Sequence, residues 1–385
     1  MKKIKILRII HTLDPTHGGP QNAIIDNSLA LIKKGFNIDI LTNDNKNYYF
    51  KKKDSIKVIN VGPPLIEYGF NIRLIFWLIN NREKYDIFIV HGLWTFYTLI
   101  ARLLLKNKYF VFAHGQLDPF FSIDFIKKTK KKIYWNLIEK ENLISANSLL
   151  LTTENEKKLL LKTYVNTNNI KKKNVSYGIL KPKFNIANVK RLFYKKYPNL
   201  KNEYFLIFLG RFHKKKGCDT LLKALKILKK KNIIIKLLLV GPENEYKKNL
   251  KQLSKNLDIE DQVCWSNTMK NGIKWGSLYL SKGMVLCSNG ENFGVSLVES
   301  LSLGKPVLTT NKVNIYDKIK KYNCGLISKN DATSFANILN KYFKSNNKTL
   351  ENYSKNSIKC FNKEFNLENN INIFSDYLKK FVNKN

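Results

Sequence analysis

Cysteine is scarce and scattered. The five thiols (Cys218, Cys264, Cys287, Cys324 and Cys360) include no C-x-x-C pair. That excludes a disulfide framework and the common zinc-binding patterns, and it suits a reducing compartment. Long apolar runs are missing too: no stretch approaches the roughly 18 residues that a membrane-spanning helix needs. The apolar character of residues 1–7 is broken by Arg8, His11 and Asp14, with no small-residue cleavage site. This segment therefore reads as a first strand and not as a signal peptide, and the chain is expected in the cytoplasm, peripheral to a membrane at most. Acids are few, 29 against 68 Lys and Arg, which leaves a net charge of +39. An excess of that size favours anionic lipid, nucleic acid or pyrophosphate. Lysine runs occur at 51–53, 130–132, 171–173, 214–216 and 229–231, yet Lys, Asn and Ile are abundant everywhere. Most of these lysines reflect biased residue usage and not a binding face.

What is present is a chain of two domains' length. At 385 residues and 44% hydrophobic composition it can bury ample core. Residues 4–10 read as a strand, 16–20 as a glycine turn, 24–32 as an amphipathic helix and 36–41 as the next strand. Strands follow at 86–91, 109–113 and 149–152, the last leading into a helix at 154–161. Strands alternating with helices imply a parallel sheet covered on both faces. Gly178, Pro182 and Pro198 mark 179–199 as a connection. A second α/β series then starts, with strands at 204–209, 233–240 and 284–287 and a helix at 218–229. A Lys-rich, aromatic tail closes the chain. The resulting division is 1–178, 179–199, 200–360 and 361–385.

Ligands of open α/β sheets bind beyond the carboxyl ends of the strands, and the informative clusters all sit there. Residues 288–310 hold Glu291 and Glu299, seven residues apart, around the small-residue turn Phe293-Gly294-Val295 that opens an apolar helix. Backbone donors and a helix N-terminus suit phosphate, and carboxylates suit sugar hydroxyls. A site holding both points to a nucleotide-sugar. Residues 208–217 place Gly210-Arg211 and Lys216-Gly217 between a strand and a helix, with two cations suited to a diphosphate. Gly18-Gly19 does not match the dinucleotide pattern G-x-G-x-x-G. His114 follows a strand end in the run 113–119. His11, His17 and His91 also lie at or near strand ends.

These motifs resemble those of retaining glycosyltransferase family 4, glycosyltransferase group 1. Glu291 and Glu299 match its E-x7-E motif, residues 210–217 its G-R-x4-K-G segment, and Gly18-Gly19 its glycine loop. The run 113–119 is similar to a stretch in members that build bacterial surface polysaccharides. The resemblance implies the GT-B fold: α/β, two Rossmann-like parallel-sheet domains facing a central cleft, the tail returning to the N-terminal domain. It implies that Glu291 meets the donor sugar and Glu299 the ribose, with the backbone of Asn292, Phe293, Gly294 and Val295 facing sugar and diphosphate. Arg211 and Lys216 would grip the diphosphate, Gly18 and Gly19 approach it, and His114 lie near the reaction centre. No D-x-D pair occurs, in keeping with GT-B enzymes, where Arg, Lys and helix dipoles replace a metal; no cofactor and no metal are expected.

The chain departs from its relatives at Tyr177-Gly178 and at Asn314-Ile315-Tyr316, positions that bear on donor and acceptor choice. The expected function is transfer of a hexosyl or N-acetylhexosaminyl group from a UDP- or GDP-sugar to a saccharide acceptor. That acceptor is expected to be polyprenyl-linked, in O-antigen, capsule or exopolysaccharide synthesis. Residues 120–135 bracket lysines with apolar side chains, which suits either an anionic membrane surface or a core helix with a wet basic face. The rival readings are a GT-B nucleotide-sugar epimerase and a basic nucleic-acid-binding protein, though no specific nucleic acid is expected as a partner.

Overall fold

The computed structural model describes residues 3–14, 20–45, 55–118, 125–164, 166–175 and 178–384. They form two compact units, Met1–Leu180 with Leu367–Asn385, and Lys181–Asn366.

The first unit is built on seven parallel strands: β1 (Lys5–Ile10), β2 (Asn37–Asn45), β3 (Lys57–Gly62), β4 (Ile87–His91), β5 (Tyr109–Phe112), β6 (Ser148–Leu151) and β7 (Lys172–Asn174), in the order β3-β2-β1-β4-β5-β6-β7. Every residue of β4, β5 and β6 is buried. That is why these strands read as unbroken apolar runs: a parallel sheet is covered on both faces. The larger core cluster gathers Leu74, Leu78, Phe96, Ile100, Trp135 and Leu143 against the sheet, and a second one packs Ile24 and Ile25 on Ile10 and Ile40. The closing helix, Leu367–Val382, belongs to this unit. Its Phe374 meets the Phe112 ring and its Phe381 the Phe110 ring, both edge-on.

The second unit has six parallel strands: β8 (Phe205–Leu209), β9 (Lys236–Val240), β10 (Val263–Ser266), β11 (Gly283–Leu286), β12 (Val307–Thr310) and β13 (Gly325–Ser328), in the order β10-β9-β8-β11-β12-β13. Strand order therefore reverses at β8 and β11. In such sheets the crevice at the reversal, beyond the carboxyl ends, is where ligands bind. The lysine segment follows β8 and the acidic segment follows β11, so the topology alone brings the two motifs together.

The span 179–199 is more than a connection. Ile186–Lys196 is a helix whose start is capped by Asn185, which accepts from the Asn188 N–H at 3.0 Å. Val189 and Phe193 are buried, four residues apart on one face. They lie against the helix Asn271–Leu280, where a Cβ on Gly276 would come within 2.4 Å of the Val189 carbonyl. The prolines and polar residues around this short apolar stripe conceal it.

Candidate active site

The lysine turn is fixed by its backbone. After β8, Lys214–Lys216 make one turn of 3-10 helix, and His213 Nδ1 accepts from the Lys215 N–H at 3.1 Å. Gly217 follows at φ +64°, the N-cap of the helix Cys218–Lys229. A Cβ there would sit 1.9 Å from the Cys287 carbonyl oxygen, so only glycine lets the turn lie against the end of β11. Ser288 Oγ and the Asn289 N–H both donate to the Lys215 carbonyl at 2.8 Å, and Asn289 Nδ2 donates to the Lys214 carbonyl at 3.0 Å. The two loops are thus tied by main-chain acceptors.

The acidic loop is fixed as firmly. The Glu291 N–H donates to the Lys312 carbonyl at 3.1 Å, and the Asn314 N–H donates to the Glu291 carbonyl at 2.8 Å. Asn314 Nδ2 donates to Asn292 Oδ1 at 3.1 Å. Gly294, at φ +64°, is the N-cap of the eight-residue helix Val295–Ser302 and supplies no side-chain cap. Its first N–H groups carry the partial positive charge of a helix start, the ordinary setting for a phosphate. Phe293 is buried and packs edge-on against Phe365, anchoring the turn.

Side chains from the two loops meet. Lys216 Nζ donates to Glu291 Oε2 in a short ion pair that is only partly open to solvent. Burial pushes the Glu291 carboxyl up. The Lys216 charge and hydrogen bond, helped by Lys215 and the Gly294 N–H, outweigh it and hold the carboxyl below its ordinary value. His213 is pushed down by burial and then by Arg211, Lys215, Lys216 and Lys214, which registers the positive potential of the loop. Arg211 itself is exposed and has no ion-pair partner among the described residues. Glu299 meets a different cation: Lys274 Nζ donates to its Oε1 at 2.6 Å.

Of the residues singled out in the sequence, the structure brings Arg211, Lys216, Glu291, Asn292, Phe293, Gly294 and Val295 onto the two loops beyond β8 and β11. It sets Glu299 one turn into the following helix. Gly18, Gly19 and His17 lie outside the described residues, as do residues 119–124 and Tyr177. Lys274, Ser288, Asn289 and Asn314 were not legible as site residues. A lysine in a lysine-rich chain carries no signal, and Asn314 stood out only as a departure from relatives.

In the first unit, His114 follows β5 in a left-handed backbone conformation, φ +48°. Its ring stacks on Phe112, and its Nε2 shares a 2.8 Å hydrogen bond with His91 Nδ1. One of those nitrogens must donate and the other accept. Burial, then Arg8, pushes His114 down to about 4. Burial, then His114 and Arg8, push His91 well below its ordinary value, so the pair is neutral at physiological pH. The neighbouring loops are held by two buried acids. Glu156 accepts from the Gly115 N–H at 2.8 Å. Glu139 accepts from the Trp94 N–H and from Thr98 Oγ1; burial raises its carboxyl to about 7. His11 is occupied by the Tyr97 hydroxyl at 2.9 Å.

Two sheets of this topology, the second with a cation loop and an acidic helix start at its strand reversal, are the architecture of the GT-B fold. Residues 189–360 match the family model described as Glycosyl transferases group 1. An uncharacterized glycosyltransferase of Haemophilus influenzae is 26% identical over 301 residues, 76% of this chain and 77% of that protein. The capsular polysaccharide biosynthesis glycosyltransferase CapM of Staphylococcus aureus is 27% identical over 225 residues, 53% of this chain and 54% of that one. HepE of Anabaena, solved in complex with UDP and glucose, superposes with a TM-score of 0.76 over 98% of this chain and 100% of its own, at 15% identity. The chain has the GT-B fold, and its residues 189–360 are similar to the group 1 glycosyltransferases.

Proposed function

We propose that this enzyme moves a sugar, with retention of anomeric configuration, from a UDP- or GDP-sugar to a lipid-linked saccharide in surface-polysaccharide synthesis. The observation that carries the reading is the Lys216–Glu291 contact beside the uncapped start of the helix Val295–Ser302. It sets a cation and a helix start next to an acid able to accept sugar hydroxyls. Bond breaking places growing negative charge on the departing diphosphate. Lys216 and the helix N–H groups are fixed before that charge appears, with Arg211 on the same loop, and such preorganised donors lower the barrier. They supply the role a divalent cation takes elsewhere, so no metal is invoked. Glu291 accepts from the donor sugar and Glu299 from the ribose. Following the family, the acceptor oxygen attacks from the leaving-group side while a diphosphate oxygen takes its proton, and His114 serves the sugar side. HepE supports a nucleotide-sugar donor by its bound UDP and glucose, and CapM supports the polysaccharide setting by its name.

The acceptor's lipid would meet the exposed apolar side chains of the first unit. Phe76 and Leu103 are 60% exposed and Leu137 70%, with Ile133, Leu65 and Ile66 also open. In the sequence these apolar side chains are interspersed with Arg73, Lys106, Lys108, Lys130 and Lys132. Apolar surface set among cations suits an anionic bilayer.

One assay tests the reading: donor panels with a polyprenyl-diphosphate saccharide in anionic or neutral vesicles, EDTA present. Labelled lipid product with the donor's anomeric configuration, formed faster on anionic vesicles, is expected. Inverted product, or isomerised donor without transfer, contradicts it. No described helix is long and apolar enough to cross a membrane.

A further inference from the structure

Glu299 has a cation partner before any ligand arrives. Lys274, on the helix Asn271–Leu280, donates from Nζ to Glu299 Oε1 at 2.6 Å, and the side chains of the pair are 23% and 13% exposed. The same ammonium lies 4.5 Å from the centroid of the Trp275 ring. That ring is braced in turn by Phe184, nearly parallel at 6.2 Å. A solvated surface pair of this kind is mobile and weak. This one is partly desolvated, short and backed by an aromatic face, which restricts both side chains.

We propose that Lys274 belongs to the nucleoside subsite. It holds the Glu299 carboxylate in the orientation that receives the ribose hydroxyls and presents a further N–H to the same nucleoside. The proposal rests on the reading of Glu299 as the ribose acceptor. A carboxylate has two oxygens and about four lone-pair directions. Lys274 uses one at Oε1, which leaves Oε2 and the second Oε1 direction for two adjacent hydroxyls. A Glu on a helix surface that is free to change rotamer would lose that freedom on binding; one already fixed does not. An ammonium has three N–H donors and no acceptor. With one spent on Glu299, the others suit a hydroxyl or a base carbonyl. Lys274 thus acts on the nucleoside, whereas Arg211 and Lys216 act on the diphosphate.

Calorimetric titration of UDP, GDP, ADP and inorganic pyrophosphate into wild type, Lys274→Ala, Lys274→Arg, Glu299→Ala and the double alanine variant separates these roles. For the tightest nucleotide, Lys274→Ala is expected to weaken binding about tenfold while pyrophosphate affinity stays unchanged. Lys274→Arg should keep most of the affinity. The double variant should be little weaker than Glu299→Ala alone, because both changes disable one subsite. A Lys274→Ala protein that melts lower but keeps the wild-type ratio of nucleotide to pyrophosphate affinity would overturn the proposal, since the pair would then only join two helices. If Glu299→Ala also leaves that ratio unchanged, the ribose reading itself fails. If Glu299→Ala changes it and Lys274→Ala does not, only the role of Lys274 fails.

Discussion

Replacing Lys216 by alanine is expected to lower kcat/KM by about 10²–10³, the usual cost of removing one preorganised donor from a developing anion. The change removes the cation nearest the acidic loop and leaves Glu291, largely shielded, without the partner it now has. Both effects act on the same place, so the variants Lys216→Ala and Glu291→Gln should be far from additive. Stability gives a second readout. The Glu291 carboxyl is held below its ordinary value of 4.5 in the folded protein. Such a group adds stability that is present above the unfolded value and lost as pH falls through the folded one. Lys216→Ala removes the main cause of that shift. Wild type should therefore melt higher than the variant at neutral pH, and the two curves should converge in acid. Steady-state kinetics and thermal melts across pH 3–8 (roughly, spanning the carboxyl range) check both claims. Near-wild-type turnover would remove Lys216 from the mechanism.

Gly217→Ala carries the other large effect, and it acts through the backbone. A methyl group there has to occupy space 1.9 Å from the Cys287 carbonyl oxygen, at φ +64°. The nearest atoms are the carbonyl oxygen and carbon of Cys287, main-chain atoms that cannot swing aside as the end of a side chain can. The left-handed conformation alone costs a non-glycine residue about 1–2 kcal/mol, and relief of the clash must drag the lysine turn off β11. A loss of about 3 kcal/mol or more in the second unit is expected, with transfer falling further than stability explains. The reason is that the bonds from Ser288 and Asn289 to the Lys214 and Lys215 carbonyls set the position of Lys216. Gly210→Ala is the control: a Cβ there finds only the Phe208 ring edge at 3.5 Å, so the melt should change little. If Gly217→Ala melts and turns over like wild type, the two loops are not held as described.

The legible parts of this fold are those where one rule governs. The helix Cys218–Lys229 was readable end to end, because Leu221, Leu225 and Leu228 repeat at helical spacing and Gly217 marks its start. β4 and β5 were readable because burial on both faces leaves no polar residue in them until His91. That each of the lysine and acidic loops trails a strand was readable in sequence, whereas their pairing comes from the strand order, which sets β8 beside β11. Signals failed where tertiary context decides. Ile186–Lys196 shows two buried side chains in a polar stretch, and its partner surface is created by Gly276, ninety residues away in kind of element and invisible to local periodicity. The strand expected at 233–240 shortens to Lys236–Val240, because Ile233 to Ile235 serve as the approach from the preceding helix and make no ladder bonds. Lys274 could not be picked from its neighbours, since its importance lies in one contact with Glu299 across two helices. Asn314 reads as an oddity in sequence and becomes intelligible only when its side chain is seen to hold Asn292.

The most direct test of the central claim, that the second unit clasps a nucleoside diphosphate between its cation loop and its acidic loop, is a thermal-shift panel of UDP-, GDP- and ADP-sugars on the whole chain. At a ligand concentration of about 100 times Kd, binding stabilises by about 2.7 kcal/mol. The account predicts a rise of several degrees in Tm with a UDP- or GDP-sugar, and no rise with the same donor in Arg211→Ala. Failure of every nucleotide-sugar to raise Tm, or an equal rise in Arg211→Ala, would contradict it.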